Sequence, residues 1–225
     1  MSVAGLRVLV PRAGEWGASA AALLRDRGAV PVMVPLIDYA PGDPLPAGLA
    51  TGDYDWLVVT SARTVEALGA VAASTRVIAV GEATAEALRA ADYPVRFVPR
   101  EHSAAGIAEE WPGADGDRVL LPQSDLADGS LAAALTARGA RVDSVAAYRT
   151  IAVPVTPEGR APVDWILVTS GSVARQVAAQ LAPLSPGTRV ACIGERTAAE
   201  ARACGLQVAV VAAERSIRSL VDSLN

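Results

Sequence analysis

The chain has 225 residues, of which 52% are hydrophobic and 4% aromatic, and this length suits one large globular domain or two small ones. Its 20 Lys and Arg residues nearly balance its 24 Asp and Glu residues without a basic run, which disfavours nucleic-acid binding. The sequence shows no secretory signal, membrane-length apolar stretch, nucleotide-binding glycine motif or metal-ligand pattern. We therefore expect a cytoplasmic protein that uses neither metal nor nucleotide.

The first half of the chain alternates predicted strands and helices. RVLVP at Arg7–Pro11 is a short apolar run that stops at a proline, and an Ala/Leu-rich run of helical spacing then ends in RGA at Arg27–Ala29. A basic residue followed by glycine is typical of a helix that ends in a left-handed residue. A long apolar segment closed by proline follows at Val30–Pro41, and after it come the strand-like runs WLVV and VIAV.

The second half of the chain repeats the first, which indicates a tandem duplication. The offsets of 111, 109 and 113 residues drift because the loops differ in length. The matched pairs are RVLVP and RVLLP (7–11 and 118–122), DWLVVTS and DWILVTS (55–61 and 164–170), and the runs 76–91 and 189–204.

The predicted strands are apolar almost throughout, as expected when helices cover both faces of a sheet. Alternation of such strands with helices predicts an α/β fold with two similar parallel-sheet lobes of the flavodoxin or Rossmann type. The simplest division gives consecutive domains at 1–112 and 113–225. However, the long segments Val30–Pro41 and Arg141–Pro154 could each cross between lobes, and the periodicity leaves this alternative open.

Six predicted strand ends run directly into predicted helices, and parallel sheets bind ligands at such strand ends. A helix start offers unpaired N–H groups and a positive dipole end, so these junctions favour an anion. Hydroxyl side chains at four positions could add donors, namely Ser61, Thr84, Ser170 and Thr197, although serine and threonine are also ordinary N-cap residues. The junctions are 10–14, 60–64, 80–84, 121–125, 169–173 and 193–197.

Together these motifs resemble the uroporphyrinogen-III synthase family from Arg7 to about Leu220. The resemblance rests on two TS strand ends, on VG-x-x-TA and IG-x-x-TA turns, and on a lone tyrosine before RT at Tyr148. It implies one discontinuous lobe of residues 1–36 and 152–225, a second lobe of residues 40–148, and a two-stranded linker of residues 37–39 and 149–151.

The resemblance also implies the chemistry. The substrate would be hydroxymethylbilane, a linear tetrapyrrole with eight carboxylates, which loses water and cyclises with its last pyrrole ring inverted, without a cofactor. Such a lyase would serve porphyrin and haem biosynthesis. A monomer that closes about a hinge needs no partner surface, and a transient contact with the preceding pathway enzyme is left open.

The family pattern assigns the role of proton donor to Tyr148. From the sequence alone, a tyrosine at this place is more often a packing residue whose hydroxyl has a hydrogen-bond partner. The candidate substrate-binding positions share a place at strand ends and are Arg12, Thr60, Ser61, Arg63, Gly81, Thr84, Ser124, Thr169, Ser170, Ser172, Gly194 and Thr197. The chain departs from the family after RVLLP, where QSDLADG carries Asp125 and Asp128 in place of an arginine. The competing function is a non-catalytic two-lobed protein that binds an acidic small molecule.

Overall fold

A computed structural model describes residues 3–224. Met1, Ser2 and Asn225, which the resemblance assigns to the discontinuous lobe, lie outside the described residues. The described chain divides into two compact units. The first unit contains the residues up to Asp38 and those from Ile151 onward, and the second unit contains Tyr39–Thr150.

Within residues 3–224 the strands are β1 (Arg7–Val10), β2 (Val30–Met33), β3 (Ile37–Pro41), β4 (Trp56–Val59), β5 (Arg76–Ala79), β6 (Val95–Phe97), β7 (Arg118–Ser124), β8 (Arg141–Ala152), β9 (Trp165–Val168), β10 (Arg189–Cys192) and β11 (Val208–Val211). The helices are α1 (Gly14–Asp26), α2 (Gly48–Thr51), α3 (Ala62–Val65), α4 (Glu82–Ala90), α5 (Ala104–Glu109), α6 (Ser130–Thr136), α7 (Gly171–Leu181), α8 (Glu195–Ala203) and α9 (Ile217–Asp222). A short 3-10 helix spans Glu158–Arg160.

Each unit contains one sheet, and the parallel part of both sheets has the same strand order. The first sheet runs β11-β10-β9-β1-β2, and the second runs β3-β8-β7-β4-β5-β6. The neighbouring pairs in β11–β2 and in β8–β6 are parallel. By sequence, β1 and β2 match β7 and β8, while β9–β11 match β4–β6. Each sheet therefore combines strands from both halves of the chain, and the unit boundaries fall inside β3 and β8.

Helices cover both faces of each parallel sheet, and this explains the continuous apolar strands. In β4, Trp56 and Val58 enter one core with residues of α5 and α6, whereas Leu57 and Val59 enter another core with residues of α2 and α4. All four side chains are buried. In the first unit, residues of α1 and α9 pack with β1, β9 and β10. None of the described helices has both the length and the apolar character needed to cross a bilayer.

The repeated DW pair joins strands that come from different halves of the chain. The Asp55 carboxylate accepts the N–H of Arg118 at 2.8 Å, which fixes the start of β4 beside the start of β7. Asp164 does the same for the N–H of Arg7 at 2.7 Å, beside β1. The aspartate that opens each copy of the heptad thus ties it to the first strand of the other copy.

The predicted left-handed helix ends are confirmed. Gly28 after α1 has φ 78° and Gly139 after α6 has φ 88°, a conformation that glycine adopts without steric cost.

Candidate functional site

The parallel strands of the second unit bring several of the predicted residues to one edge of the sheet. Thr60 and Ser61 follow β4, Gly81 follows β5, Ser124 ends β7, and Tyr148 lies on β8. The register between β7 and β8 shifts at Gln123, so that Ser124 pairs with Tyr148 across the two strands. Because the strands are parallel, these carboxyl ends lie on the same side of the sheet.

Asp125 fixes the backbone around Tyr148. Its N–H donates to the Tyr148 carbonyl at 3.1 Å, and its carboxylate accepts the N–H of Thr150 at 3.0 Å. The Ser124 hydroxyl donates to the same carboxylate oxygen at 3.1 Å and accepts the N–H of Leu126 at 3.2 Å. The acidic residue that departs from the family pattern therefore holds the end of β7 against β8.

The junction predicted at residues 121–125 is wrong, because β7 continues through Ser124 and the next helix begins only at Ser130. The intervening residues form turns that Ser124 and Asp128 stabilise, the latter by accepting the N–H of Ser130 at 3.0 Å. Ser124 consequently lies at a strand end without a helix start beside it.

The ring of Tyr148 packs against Tyr39 on β3. The ring centroids are 5.7 Å apart and the planes meet at 79°, an edge-to-face arrangement. The guanidinium carbon of Arg63 lies 4.5 Å from the Tyr39 ring centroid, and Arg63 also binds the Glu66 carboxylate at 2.7 and 2.8 Å. Tyr39 was not singled out from the sequence, since its strand partner lies more than 100 residues away.

Gly42 permits the chain to approach β8 closely at this point. Its N–H donates to the carbonyl of Ala147 at 3.1 Å. A Cβ at Gly42 would lie 1.8 Å from the carbonyl oxygen of Ala146 and 2.6 Å from the nitrogen of Tyr148. Any side chain here would push the end of β3 away from Tyr148.

Two of the predicted hydroxyls act as helix N-caps, which was the ordinary alternative. The Ser61 hydroxyl accepts the N–H of Arg63 at 3.2 Å, and the Ser170 hydroxyl accepts the N–H of Val173 at 3.3 Å. Helix α3 behind Ser61 is short. The next residues bond back three positions instead of four, for example Leu68 to Val65 at 3.1 Å, so only four residues are α-helical.

Thr84 and Thr197 occupy matching places in the first turns of α4 and α8. Both are buried, at 6% and 8% exposure, and glycines provide the N-cap residues of these helices. Gly81 and Gly194 have extended backbone conformations that any residue can adopt. A larger side chain at either position would, however, meet a neighbouring side chain. The structure therefore brings a glycine and a threonine to each helix start as the sequence predicted.

Sequence reasoning missed two basic side chains beside these glycines. A Cβ at Gly81 would lie 3.0 Å from Cγ of His102, and one at Gly194 would lie 3.1 Å from Cγ of Arg215. His102 and Arg215 are separated by the same 113-residue offset as the glycines. That shared offset could have identified them. Each contributes a nitrogen-bearing side chain close to a helix start.

The first unit carries the remaining predicted residues at its own strand ends. The hydroxyls of Ser170 and Ser172 lie 2.9 Å apart at the start of α7. The Thr169 hydroxyl is buried and has no hydrogen-bond partner among residues 3–224. Arg12 follows β1, and its guanidinium carbon lies 5.6 Å from the ring centroid of Trp16.

Comparison with known proteins gives a consistent result. The family model described as uroporphyrinogen-III synthase HemD matches residues 18–222. The uroporphyrinogen-III synthase of Synechococcus elongatus is 30% identical over 161 residues, covering 65% of this chain and 61% of the relative. The porphyrin biosynthesis protein HemD of Ruminiclostridium josui is 27% identical and covers 98% of this chain and 48% of the relative. The chain thus spans about half to three fifths of the length of these curated relatives.

Two solved structures have the same fold. A mutant uroporphyrinogen III synthase from Thermus thermophilus has a TM-score of 0.67 at 20% identity, with 97% of this chain and 96% of that chain covered. The uroporphyrinogen-III synthetase of Helicobacter pylori has a TM-score of 0.65 at 16% identity, with 97% of both chains covered. At these identities the likeness establishes the α/β fold.

Proposed function

The chain belongs to the uroporphyrinogen-III synthase family, and we propose that it converts hydroxymethylbilane to uroporphyrinogen III with loss of water. The family match over residues 18–222 supports the substrate class. The observation that carries the catalytic assignment is the half-buried phenol of Tyr148 among the carboxyl ends of the parallel strands, held by Tyr39 and by Asp125.

Donors at the strand ends of each unit are proposed to bind carboxylates of the bilane. Helix starts supply backbone N–H groups, which suit carboxylate oxygens without requiring a strongly basic surface. The buried Thr84 and Thr197 add hydroxyls in the first turns of α4 and α8, and Thr169 lies at the strand end before α7. The other proposed contacts are Arg12, Thr60, Ser61, Arg63, Gly81, Ser124, Ser170, Ser172 and Gly194, to which we add His102 and Arg215.

Tyr148 donates a proton to the terminal hydroxyl of the bilane. The carbon–oxygen bond then breaks, water leaves, and a protonated azafulvene (an azafulvenium cation) remains beside the phenolate. A phenol is a weak acid, so it assists the departure of water and a large part of the acceleration comes from positioning.

Ring closure follows through the spiro-pyrrolenine, which inverts the last pyrrole ring. The substituted α-carbon of that ring attacks the methylene of the azafulvenium and forms the spiro intermediate. Its bond to the original methylene bridge then breaks, and that methylene bonds to the free α-carbon of the inverted ring. The proton released when the pyrrole regains its aromatic form returns to the phenolate of Tyr148, so the net change is the loss of one water. The bound carboxylates keep the linear chain curled while these steps occur.

The proposed reaction leads to proposals for the location, pathway and partner of the protein. We propose that it acts in the cytoplasm, in porphyrin and haem biosynthesis, and that it receives the reactive bilane through transient contact with the enzyme that makes it. A pull-down with that enzyme at low salt, repeated at high salt, tests the contact.

The decisive test is an isomer analysis of the product. Purified protein supplied with freshly made hydroxymethylbilane is expected to give the type III isomer on chromatography after oxidation to the porphyrin. The type I isomer alone, which forms spontaneously, would exclude catalysis. In that case tight binding of the bilane without turnover would favour the non-catalytic binding protein.

A further inference from the structure

The strongest feature outside the predicted residues is the stack formed by Arg63, Tyr39 and Tyr148. We propose that Tyr39 is a positioning residue that fixes the ring of Tyr148, with the Arg63 guanidinium fixing Tyr39 in turn. This inference rests on the proposed function of Tyr148 as the proton donor. Tyr39 itself is proposed to act through Tyr148 and not through contact with the reacting atoms.

The geometry of the two rings supports this role. Their edge-to-face contact at 5.7 Å and 79° is an arrangement that aromatic pairs prefer. Both rings are only half-buried, so the general packing of the core does not restrict them fully. Without Tyr39, the Tyr148 ring would have room to rotate away from the leaving hydroxyl.

Backbone contacts set the distance between the two strands that carry these rings. β3 and β8 are neighbours in the sheet. Beyond β3, the N–H groups of Gly42 and Asp43 donate to the carbonyls of Ala147 and Ala146 at 3.1 and 2.7 Å. On its other side, β8 is held by Asp125 at the Tyr148 carbonyl. The backbone of Tyr148 is therefore fixed from both sides. These bonds leave the side-chain torsions of Tyr148 free, and contact with Tyr39 restricts them.

Arg63 fixes Tyr39 from the adjoining junction. Its guanidinium carbon lies 4.5 Å from the ring centroid, within the range of a cation–π interaction. The ion pair with Glu66 holds the guanidinium in that position. The N-cap bond from Arg63 N–H to Ser61 fixes its backbone. The chain of contacts thus couples the end of β4 to the ring on β8.

The test measures the position of the Tyr148 ring and the turnover of the enzyme by two separate methods. The chain has four tyrosines, so labelling with 3-fluorotyrosine gives four fluorine resonances, of which Tyr148→Phe identifies one. In Tyr39→Leu we expect the Tyr148 resonance to move while those of Tyr54 and Tyr93 stay in place. We expect kcat to fall roughly tenfold or more with little change in KM, because misplacement of a catalytic group affects the chemical step.

Two further variants control the experiment. Tyr39→Phe keeps the ring and is expected to restore the Tyr148 resonance and kcat to within about threefold of the wild type. Tyr93→Leu removes a tyrosine whose hydroxyl donates to the Gly69 carbonyl elsewhere in the same unit, and is expected to change neither. If Tyr39→Leu does not fold, Tyr39→Met replaces it, since the unbranched side chain adapts to more shapes.

The outcomes are distinct. If Tyr148→Phe lowers kcat but the aliphatic variant at Tyr39 leaves kcat unchanged, the positioning role is wrong and the proposed function stands. If the Tyr148 resonance does not move in that variant, the role is also wrong. If Tyr148→Phe itself leaves turnover unchanged, the proton-donor assignment fails, and the positioning role fails with it.

Discussion

The indole N–H of Trp56 donates a 2.8 Å hydrogen bond to Asp117, whereas the indole nitrogen of the matching Trp165 is buried with no partner among residues 3–224. The 111-residue offset places Leu6 where the second unit has Asp117. An arginine covers each indole ring at 4.0 Å, namely Arg76 and Arg189. The two units therefore share the stacked arginine and differ in the hydrogen bond.

Asp117→Leu, which copies the first unit, is expected to lower the free energy of unfolding by about 2–3 kcal/mol. The change leaves the buried Trp56 N–H without an acceptor and removes the bond from the N–H of Ala114 at 2.9 Å. Urea unfolding measures the loss, with an unchanged slope showing that compactness is preserved. The control is Asp26→Leu at the exposed end of α1, and an equal effect of the two substitutions would contradict the assignment.

The contribution of Asp117 is also expected to depend on pH. Burial opposes its ionisation, but bonds from the Ala114 backbone, Trp56 and Arg76 outweigh burial and lower the pKa of Asp117. A lowered pKa contributes stability that is complete above the unfolded-state value near 3.9 and is lost as pH falls through the lower folded value. The stability difference between wild type and Asp117→Leu should therefore shrink below about pH 4. A constant difference down to about pH 2.5 would contradict this.

Tyr148→Phe is expected to lower kcat by about 10- to 100-fold while the thermal midpoint stays near that of the wild type. A positioned general acid contributes on this order or more, whereas the phenyl ring keeps the contact with Tyr39. Single-turnover analysis of the type III product measures the change. Tyr93→Phe serves as the matched loss of a hydroxyl outside the site, and equal rates in wild type and Tyr148→Phe would assign Tyr148 to packing.

We expect two prolines to protect the free edge of β2 from pairing with a strand of another molecule. The N–H groups of Val30 and Val34 donate toward β1 at 2.8 and 3.0 Å, so the alternate positions 31, 33 and 35 point outward. Pro31 and Pro35 carry no N–H at two of these three positions. Sheets commonly use proline to block pairing at an edge.

Replacing both Pro31 and Pro35 with valine should expose a row of donors and promote strand pairing between molecules. Analytical ultracentrifugation over a range of concentrations is expected to show a shift to larger species relative to the wild type. Pro157→Val, at an exposed turn, is the control. An unchanged size distribution in the double variant would mean that another feature protects this edge.

The two thiols are expected to react at very different rates. Burial raises the pKa of Cys192 to about 11, and the thiolate is the reactive form. Cys204, in contrast, is only partly buried. A thiol reagent at about pH 8 should label one group rapidly in the native protein, and Cys204→Ser should abolish that rapid phase. Rapid labelling that survives in Cys204→Ser would place Cys192 in contact with solvent.

Regular features of this fold were accessible from sequence because they depend on neighbouring residues. Continuous apolar runs predict strands buried on both faces, and glycine after a basic residue predicts the left-handed helix ends at Gly28 and Gly139. The 111-residue repeat also identifies which strands correspond. Local physical chemistry is sufficient for these features.

The features that sequence reasoning missed depend on contacts between distant residues. Tyr39 and Tyr148 meet because β3 pairs with β8, and nothing adjacent to either residue encodes that pairing. The role of Asp125 likewise follows from a tertiary contact. The carboxylate of Asp125 accepts the N–H of Thr150, which lies 25 residues further along the chain.

Because each sheet combines strands from both halves of the chain, the sheets cannot form in the order in which their strands are synthesised. All strands of the second sheet exist once β8 is made, whereas β1 lacks its neighbour β9 until Trp165 emerges. At the usual rate of about 5–20 residues per second, the ribosome takes roughly 10–30 s to cover that interval. The second sheet can therefore form during translation, while β1 and β2 wait until β9 has been synthesised.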